Sequence, residues 1–329
     1  MNSFGSIFRI HIFGESHGKT IGVLIDGCPP GIPLAPEDFS SDLLRRKAGA
    51  SATTTRIEDD TPLIQSGSYN GFTTGAPLCI VFENNNVQSK DYESVKVQPR
   101  PGHADFVAAK KFNGFNDHRG GGHFSGRLTL ALVAAGVVAK KIIPSVHING
   151  MIEEAGGSKN IEEAVALAVE NQDSIGGIVE CKVSGLPVGL GEPFFNSVES
   201  LISHAAFAIP AIKGIEFGSG FSAVKMTGST HNDSIVEASG KTATNFAGGI
   251  NGGITNGNDL VFRVAVKPPS STPKAQQTMN LESGRVEELK VKGRHDLCIA
   301  LRVPVVLESI AAFVIADLMM IEQSRKLPA

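Results

Sequence analysis

Apolar and polar positions alternate from the start of the chain. "SIFRIHIF" (6–13) and "TIGVLIDG" (20–27) place hydrophobic side chains on every second residue, the period of a half-buried β-strand. "APLCIVFEN" (76–84), "IGGIVECKVSG" (175–185), "GIEF" (214–217), "SAVKMT" (222–227), "DLVFRVAVK" (259–267) and "EELKVKG" (287–293) predict further strands. Helical spacing falls between them. "APEDFSSDLLRRKAG" (35–49) predicts a helix opened by Pro36, with two acids in its first turn and its end near Gly49. "HADFVAAKKF" (103–112) predicts a short helix and "NIEEAVALAVENQ" (160–172) an amphipathic one. "RLTLALVAAGVVAKKII" (127–143) is apolar nearly all round, which predicts a central buried helix, and a second long helix closes the chain from about residue 305. His118 and His295 each stand 16 residues before an Ala-Ala pair in these apolar stretches. Either two loop-then-helix units are stacked with pseudo-symmetry, or two alanine-rich helices resemble each other by chance.

Composition narrows the class. The chain has 329 residues, 41% hydrophobic and 19% charged, enough for a large core, and no linker-like stretch divides it, so residues 1–329 read as one domain. The net charge of −3 argues against nucleic acid as a partner and requires any anion site to be built from local arginines. The apolar tail "LRVPVVLESIAAFVIADLMM" carries Arg302, Glu308 and Asp317 and is broken by Pro304, so it reads as a core helix and no membrane is expected. Four scattered cysteines without a C-x-x-C pair, and an N-terminus without a signal-peptide pattern, point to reduced thiols in a cytoplasmic protein. No metal-ligand spacing is present.

Three motifs invite misreading. "GESHGKT" (14–20) fits both the nucleophile elbow G-x-S-x-G and, shifted, a phosphate loop. Both need a helix next, and a strand follows instead; the phosphate loop also has three residues between its glycines where four are required. "GSGFSA" (218–223) fits a dinucleotide fingerprint, but no helix follows it either.

The remaining candidates sit in glycine- or proline-punctuated loops. His17 lies in "GESHG", His103 in "RPGHAD" and Asp296 in "GRHD", where an imidazole with a reference pKa of about 6.5 serves as acid or base. Among the basic residues Arg45, Arg46, Arg56, Arg127 and Arg294, Arg127 stands out. It follows a glycine-rich loop and opens the most apolar helix, so its guanidinium needs an anion from a side chain or a ligand. "KPPSST" (267–272) is either a phosphate cradle or an ordinary proline-rich turn. Together these suit an enzyme acting on a multiply anionic small molecule by histidine acid–base chemistry.

The motif set resembles one family, chorismate synthase. The resemblance rests on "GESHGKTIGVLIDGCP" (14–29), "RPGHADF" (100–106), "RGGGHFSGRLTLALVAAGVVAKKI" (119–142), "IPAIKGIEFGSGF" (209–221), "GGINGGITNG" (248–257) and "KGRHDLCIALRVPVVLES" (292–309), in the family's order. It implies an α+β fold, a β-α-β sandwich with strand layers around central apolar helices, assembled as a homotetramer. It implies a carbon–oxygen lyase that removes phosphate and a C6 hydrogen from 5-enolpyruvylshikimate 3-phosphate to give chorismate, in the shikimate pathway. Reduced FMN serves without net redox change and depends on an external flavin reductant. Carried over by position, His17 protonates the departing phosphate, His103 attends the reduced flavin, and Asp296 with Ser16 handles the flavin N5 proton. His123, Phe124, Ser125, Ala211, Gly252, Lys267, Pro268, Pro269, Ser270, Ser271 and Arg294 match flavin-contacting positions, with Lys267 and Ser271 on its phosphate. Arg45, Arg46, Arg56 and Arg127 match substrate-binding ones.

This chain departs from the family in a few places. Many members read GGGRSSARET where "GGGHFSGRLT" stands, so His123 replaces an arginine and Leu128 a glutamate. Ala52 falls where many have an arginine, with Arg56 nearby to take over, and Pro210 falls where many have asparagine.

Overall fold

The computed structural model describes residues 2–47, 52–53, 58–86, 95–291 and 295–325. Alternation in the N-terminal segments builds a five-stranded antiparallel sheet from β1 (Ser3–Phe4), β2 (Arg9–Gly14), β3 (Thr20–Asp26), β4 (Leu63–Ser66) and β7 (Leu78–Glu83), in the order β1-β2-β3-β7-β4. Its buried positions, among them Ile10, Ile21, Val23, Ile80 and Phe82, face the protein interior. Strands β5 (Ser68–Tyr69) and β6 (Phe72–Thr73) form a small hairpin beside it.

A second antiparallel sheet comes from the other half of the chain. Strands β8 (His147–Ala155), β9 (Gly177–Ser184), β10 (Ile212–Phe217) and β13 (Leu260–Val266) assemble in the order β10-β13-β9-β8. Two hairpins, β11 (Ile250–Asn251) with β12 (Ile254–Thr255) and β14 (Gln276–Asn280) with β15 (Arg285–Leu289), stand outside it.

Helices fill the space between the sheets. α3 (Thr129–Ile142) packs on β2, β3 and β7; α7 (Val303–Ser324) packs on β8 and β9; and the two helices pack on each other. The result is the expected β-α-β sandwich of an α+β protein. Both helices are buried in unbroken runs, Thr129 to Ala139 and Val305 to Leu318, because neither has a polar stripe to offer water. The stretch Ile299–Ser324 is long and apolar enough to cross a membrane, yet protein covers it on both sides. The remaining helices are α1 (Ser40–Arg46), which packs on α3 and α7, α2 (Asp105–Lys111), α4 (Ile161–Glu170) on β8, α5 (Val198–Ala206) on α7 and β10, and the short α6 (Gly228–His231).

Three polar devices lock the layers. Glu308, buried in mid-α7, takes both ends of the Arg45 guanidinium at 2.7 and 2.6 Å, the Lys140 ammonium at 3.1 Å and the Gly150 N–H at 2.8 Å. Burial raises its pKa, but these donors outweigh burial and hold it below the usual value. Asp317 accepts the backbone N–H groups of Ser6, Ile7 and Phe8 at 2.7–2.9 Å and ties the N-terminus to α7. The third is the absence of a side chain: a Cβ on Gly136 would lie 2.3 Å from Ser309 Cβ, so α3 and α7 touch backbone to backbone there.

One expectation needs correction, and two elements were missed. "SAVKMT" is not a strand but the end of a 3-10 turn, Gly220–Lys225, because Glu216 accepts the Phe221 N–H at 3.0 Å and closes the backbone locally. Strand β8 and helix α5 carry mixed polar and apolar sequence and were not legible as elements. The two loop-then-helix units are stacked, each covering one sheet.

At this crossing Gly136→Ala should destabilise the protein by about 1–3 kcal/mol through overpacking. An alanine at an unconstrained helical site would stabilise by up to about 1 kcal/mol, so denaturant unfolding of the variant reads the sign directly.

Candidate active site

The "GESHGKT" segment is the loop of the β2–β3 hairpin, and Thr20 already begins β3. No helix follows, so it is neither elbow nor phosphate loop. The loop is tight: the Gly18 N–H donates to the Glu15 carbonyl at 3.0 Å.

Against it lies the second glycine-rich turn, Arg119–Phe124, in which Gly120, Gly121 and Gly122 have φ of +59°, +80° and +53°. A Cβ on Gly120 would sit 2.5 Å from His17 Cδ2 and 2.9 Å from Ser16 Oγ, and one on Gly122 would strike the Asp117 carbonyl at 2.0 Å. Only glycine permits both the backbone and the approach. The turns also bond each other. Ser16 N–H donates to Gly122 O at 3.0 Å, and His123 Nδ1 donates to Gly14 O at 2.7 Å, which places the proton of that ring on Nδ1.

A cavity of about 740 Å³ opens beside these turns, within the range of small-molecule sites. Arginines arrive at it from separate elements: Arg46 from the end of α1, Arg127 just before α3, Arg302 just before α7, and Arg100 ahead of α2. Asp60 joins two of them, accepting Arg46 Nη2 at 2.7 Å and Arg127 Nη1 at 2.9 Å. Arg302 donates through Nε to the Arg46 carbonyl at 2.8 Å and through Nη1 to Asp296 at 3.1 Å. Arg46 is 2% exposed, and its Nε and Nη1 have no hydrogen-bond partner among the described residues. Burial, then the nearby Arg302 and Arg127 charges, push its pKa down to about 10 against the pull of Asp60; it stays cationic at neutral pH. A dry guanidinium with two unused donors among like charges is a site for an anion.

His103 stands opposite. Its Nδ1 lies 2.7 Å from Asp105 Oδ1, and Arg100 grips the same carboxylate through Nε and Nη2, both at 2.8 Å. Burial would raise the Asp105 pKa, but donation from Arg100 and His103 holds it well below the carboxylate range. With Nδ1 so engaged, the Cε1–Nε2 edge of His103 faces Gly121. Arg100 Nη1 also donates to Ser271 Oγ at 2.9 Å. Next to it, Lys267 Nζ donates to Ser270 Oγ at 2.6 Å and to the Gly102 and Pro268 carbonyls, and Ser270 Oγ donates to Gly102 O. Burial and the neighbouring Lys213 lower the Lys267 pKa. Its Nζ partners among the described residues are neutral oxygens, which leaves the charge for an anion.

The cavity therefore gathers Ser16, His103, Asp296, His123, Phe124, Ser125, Ala211, Lys267, Pro269, Ser270, Ser271, Arg46 and Arg127 from the expected set. His17 is buried behind Gly120, with its ring edge against that glycine rather than on the cavity wall. Pro268 lies beside the wall, and Gly252 lies in the exposed turn of the β11–β12 hairpin, away from the cavity. Arg45 was expected at the substrate, but Glu308 occupies both ends of its guanidinium and gives it a structural task. Arg56 and Arg294 lie outside the described residues. Of the substituted positions, Leu128 and Pro210 line the cavity, while Ala52, at φ +63°, uses its carbonyl to accept the Leu297 N–H at 2.8 Å.

Sequence reasoning passed over Asp60, Asn84, Arg100, Arg302 and His204. Arg302 met the criterion that singled out Arg127, an arginine opening an apolar helix, and Arg100 adjoins "PGH". Asp60, Asn84 and His204 carry no local signal.

A sequence model of the family described as chorismate synthase matches residues 8–320. The chain is 65% identical over 324 residues to a chorismate synthase of Chitinophaga pinensis, covering 98% of each chain. It is 42% identical over 341 residues to that of Pyrococcus abyssi, covering 95% of this chain and 96% of the other. A solved structure, "Crystal Structure of Chorismate Synthase", superposes with a TM-score of 0.73 at 25% identity, covering 97% of this chain and 93% of that one.

Asp105 and Asp60 both have folded pKa values below their unfolded value of about 3.9. Their contribution to stability is complete above that value and is lost as pH falls through the folded pKa. Asp105→Asn should cost about 3–5 kcal/mol at pH 7, by stranding the buried Arg100, and should flatten the loss of stability below about pH 4. Urea unfolding of both proteins across pH 2–7 checks slope and offset together.

Proposed function

The chain belongs to the chorismate synthase family, lyases of aromatic amino acid biosynthesis, and on that premise we propose how its residues carry the reaction. The substrate is 5-enolpyruvylshikimate 3-phosphate, with one phosphate and two carboxylates. The C3–O and C6–H bonds break, phosphate departs, and a second ring double bond gives chorismate. The observation that carries this reading is the pair of unused donors on buried Arg46, beside Arg127 and Arg302. A multiply anionic ligand satisfies them and removes the mutual repulsion.

Arg46 and Arg127 bind the anionic groups. His17 protonates the departing phosphate from the ring edge that meets Gly120, where the missing side chain leaves only backbone between imidazole and cavity. Asp296, oriented by Arg302, and Ser16 stand on the wall as proton carriers. His103 keeps Nδ1 on Asp105 and offers the Nε2 edge to the cavity.

The residues fit FMN. Lys267, beside Lys213 and bonded to neutral oxygens, and Ser271, beside Arg100, suit its phosphate; Leu132, Ile299 and Val306 give an apolar wall for a ring. His123, Phe124, Ser125, Ala211 and Arg294 keep their assignment to this cofactor. When bound and reduced, FMN supplies electron density to the substrate transiently, without net redox change. An external reductant keeps it reduced, and the protein works in the cytoplasm as one domain. We assign a homotetramer: Phe194, Phe195 and Phe221, with relative exposures of 85%, 92% and 79%, are surface that partner copies would cover.

Mixed anaerobically with substrate and reduced FMN, the protein should release chorismate and phosphate in equal amounts, and neither with oxidised FMN. Phosphate without chorismate would make it a phosphatase. His17→Ala should retain flavin affinity and lose about 100-fold or more in turnover; unchanged turnover would remove His17 from the mechanism.

A further inference from the structure

Asn84 follows β7 and spends its whole side chain on two parts of the site. Its Oδ1 accepts from Arg127 Nε at 2.6 Å, while Nδ2 donates to the Gly18 carbonyl at 2.9 Å and the Glu15 carbonyl at 3.1 Å. The backbone N–H adds a bond to Lys19 O at 3.1 Å. Only one amide orientation satisfies these partners, because a guanidinium only donates and a carbonyl only accepts. Arg127 is fixed on its far side by Asp60, and Asp60 by Arg46. A continuous chain thus runs from Arg46 through Asp60, Arg127 and Asn84 to the loop that carries Ser16 and His17.

We infer that Asn84 is a positioning residue, which sets the separation between the Arg127 guanidinium and the His17 turn. The inference rests on the reaction proposed above, in which the arginine holds the charge of a phosphate that the histidine protonates. Two groups acting on one leaving group must keep their spacing, and a misplacement of about 1 Å can cost on the order of 100-fold in rate. β2 and β3 fix the ends of the turn and the Arg119–Phe124 turn bonds it on one side, while Asn84 ties its Glu15 and Gly18 carbonyls to Arg127.

Replacement dissects the two arms. Asn84→Asp is isosteric, but it puts a carboxylate on Arg127 and loses both donors to the loop. Asn84→Ala loses everything. In the assay with substrate and reduced FMN, each variant should lower kcat about tenfold or more and raise KM, Asn84→Asp because its carboxylate competes with the substrate's anion for Arg127. In a His17→Ala background, Asn84→Asp should lower the residual kcat by less than about twofold, because the residue acts through His17. An equal loss with and without His17, or no loss in the wild-type background, overturns the inference.

A parallel titration needs no turnover. Inorganic phosphate, added to the flavin-free protein below the melting temperature of each variant, should bind both Asn84→Asp, whose carboxylate neutralises Arg127, and Asn84→Ala, which releases it, more than about threefold more weakly than wild type. Equal affinity in all three proteins overturns the clamp. A wild-type protein that makes no chorismate refutes the parent reaction, while the phosphate titration still decides whether Asn84 holds Arg127.

Discussion

The site depends on α3 and α7 running together through the middle of the protein, with no side chain between them at Gly136. The two helices are apolar all round, so each needs neighbours on every side, and two sheets with one another's company supply them. With the two helices packed in one layer, the segments that open them, with Arg127 and Arg302, arrive at the same cavity. Glu308 guards that layer by absorbing the charges of Arg45 and Lys140. The cations of this helix cluster are thereby neutralised, and among the described ion pairs the cavity's four arginines meet three carboxylates, Asp60, Asp105 and Asp296.

That shortage is local. The chain as a whole carries a net charge of −3, yet Arg46, Arg127 and Arg302 share Asp60 and Asp296 between them. In a buried place this is costly unless an anion arrives, since each guanidinium raises the energy of the next. On the proposed reading, an anionic substrate relieves this repulsion and takes up the Arg46 donors that have no partner among the described residues. The same arrangement explains why Asp60 lies at φ +54°, a conformation asparagine and aspartate tolerate better than most residues: its carboxylate must reach two guanidiniums from one short side chain.

Much of the fold was legible because its elements are extreme. The two central helices are apolar on every face, and β3, β7 and β13 alternate cleanly, so periodicity alone places them. Strand β8 and helix α5 failed because a half-exposed edge strand and a short helix mix both patterns. At the site, residues set in glycine or proline loops could be read, because binding and catalytic side chains concentrate on loops held by a rigid scaffold. Asp60 and Asn84 act only through long-range contacts, 67 and 43 residues from Arg127 in sequence, and such contacts leave no local trace. Arg45 and Arg46 show the limit most sharply. They are adjacent in sequence and on one helix, but about 100° apart around it, so one meets Glu308 and the other the cavity.

His123 occupies the position at which the family resemblance implies an arginine. Its Nδ1–H is committed to the Gly14 carbonyl at 2.7 Å, so this nitrogen cannot turn to a ligand. Together with the Ser16 N–H to Gly122 carbonyl bond it makes a reciprocal pair between the two turns, one bond from each side. The glycines at 120 and 122 allow the turns to touch, and the pair holds them in contact. A histidine here thus takes a structural share of the work and keeps its Nε2 edge for the cavity it lines. Positive charge at the cavity comes from Arg46, Arg127 and Arg302 at the helix ends, each paired to a carboxylate on another element or loop.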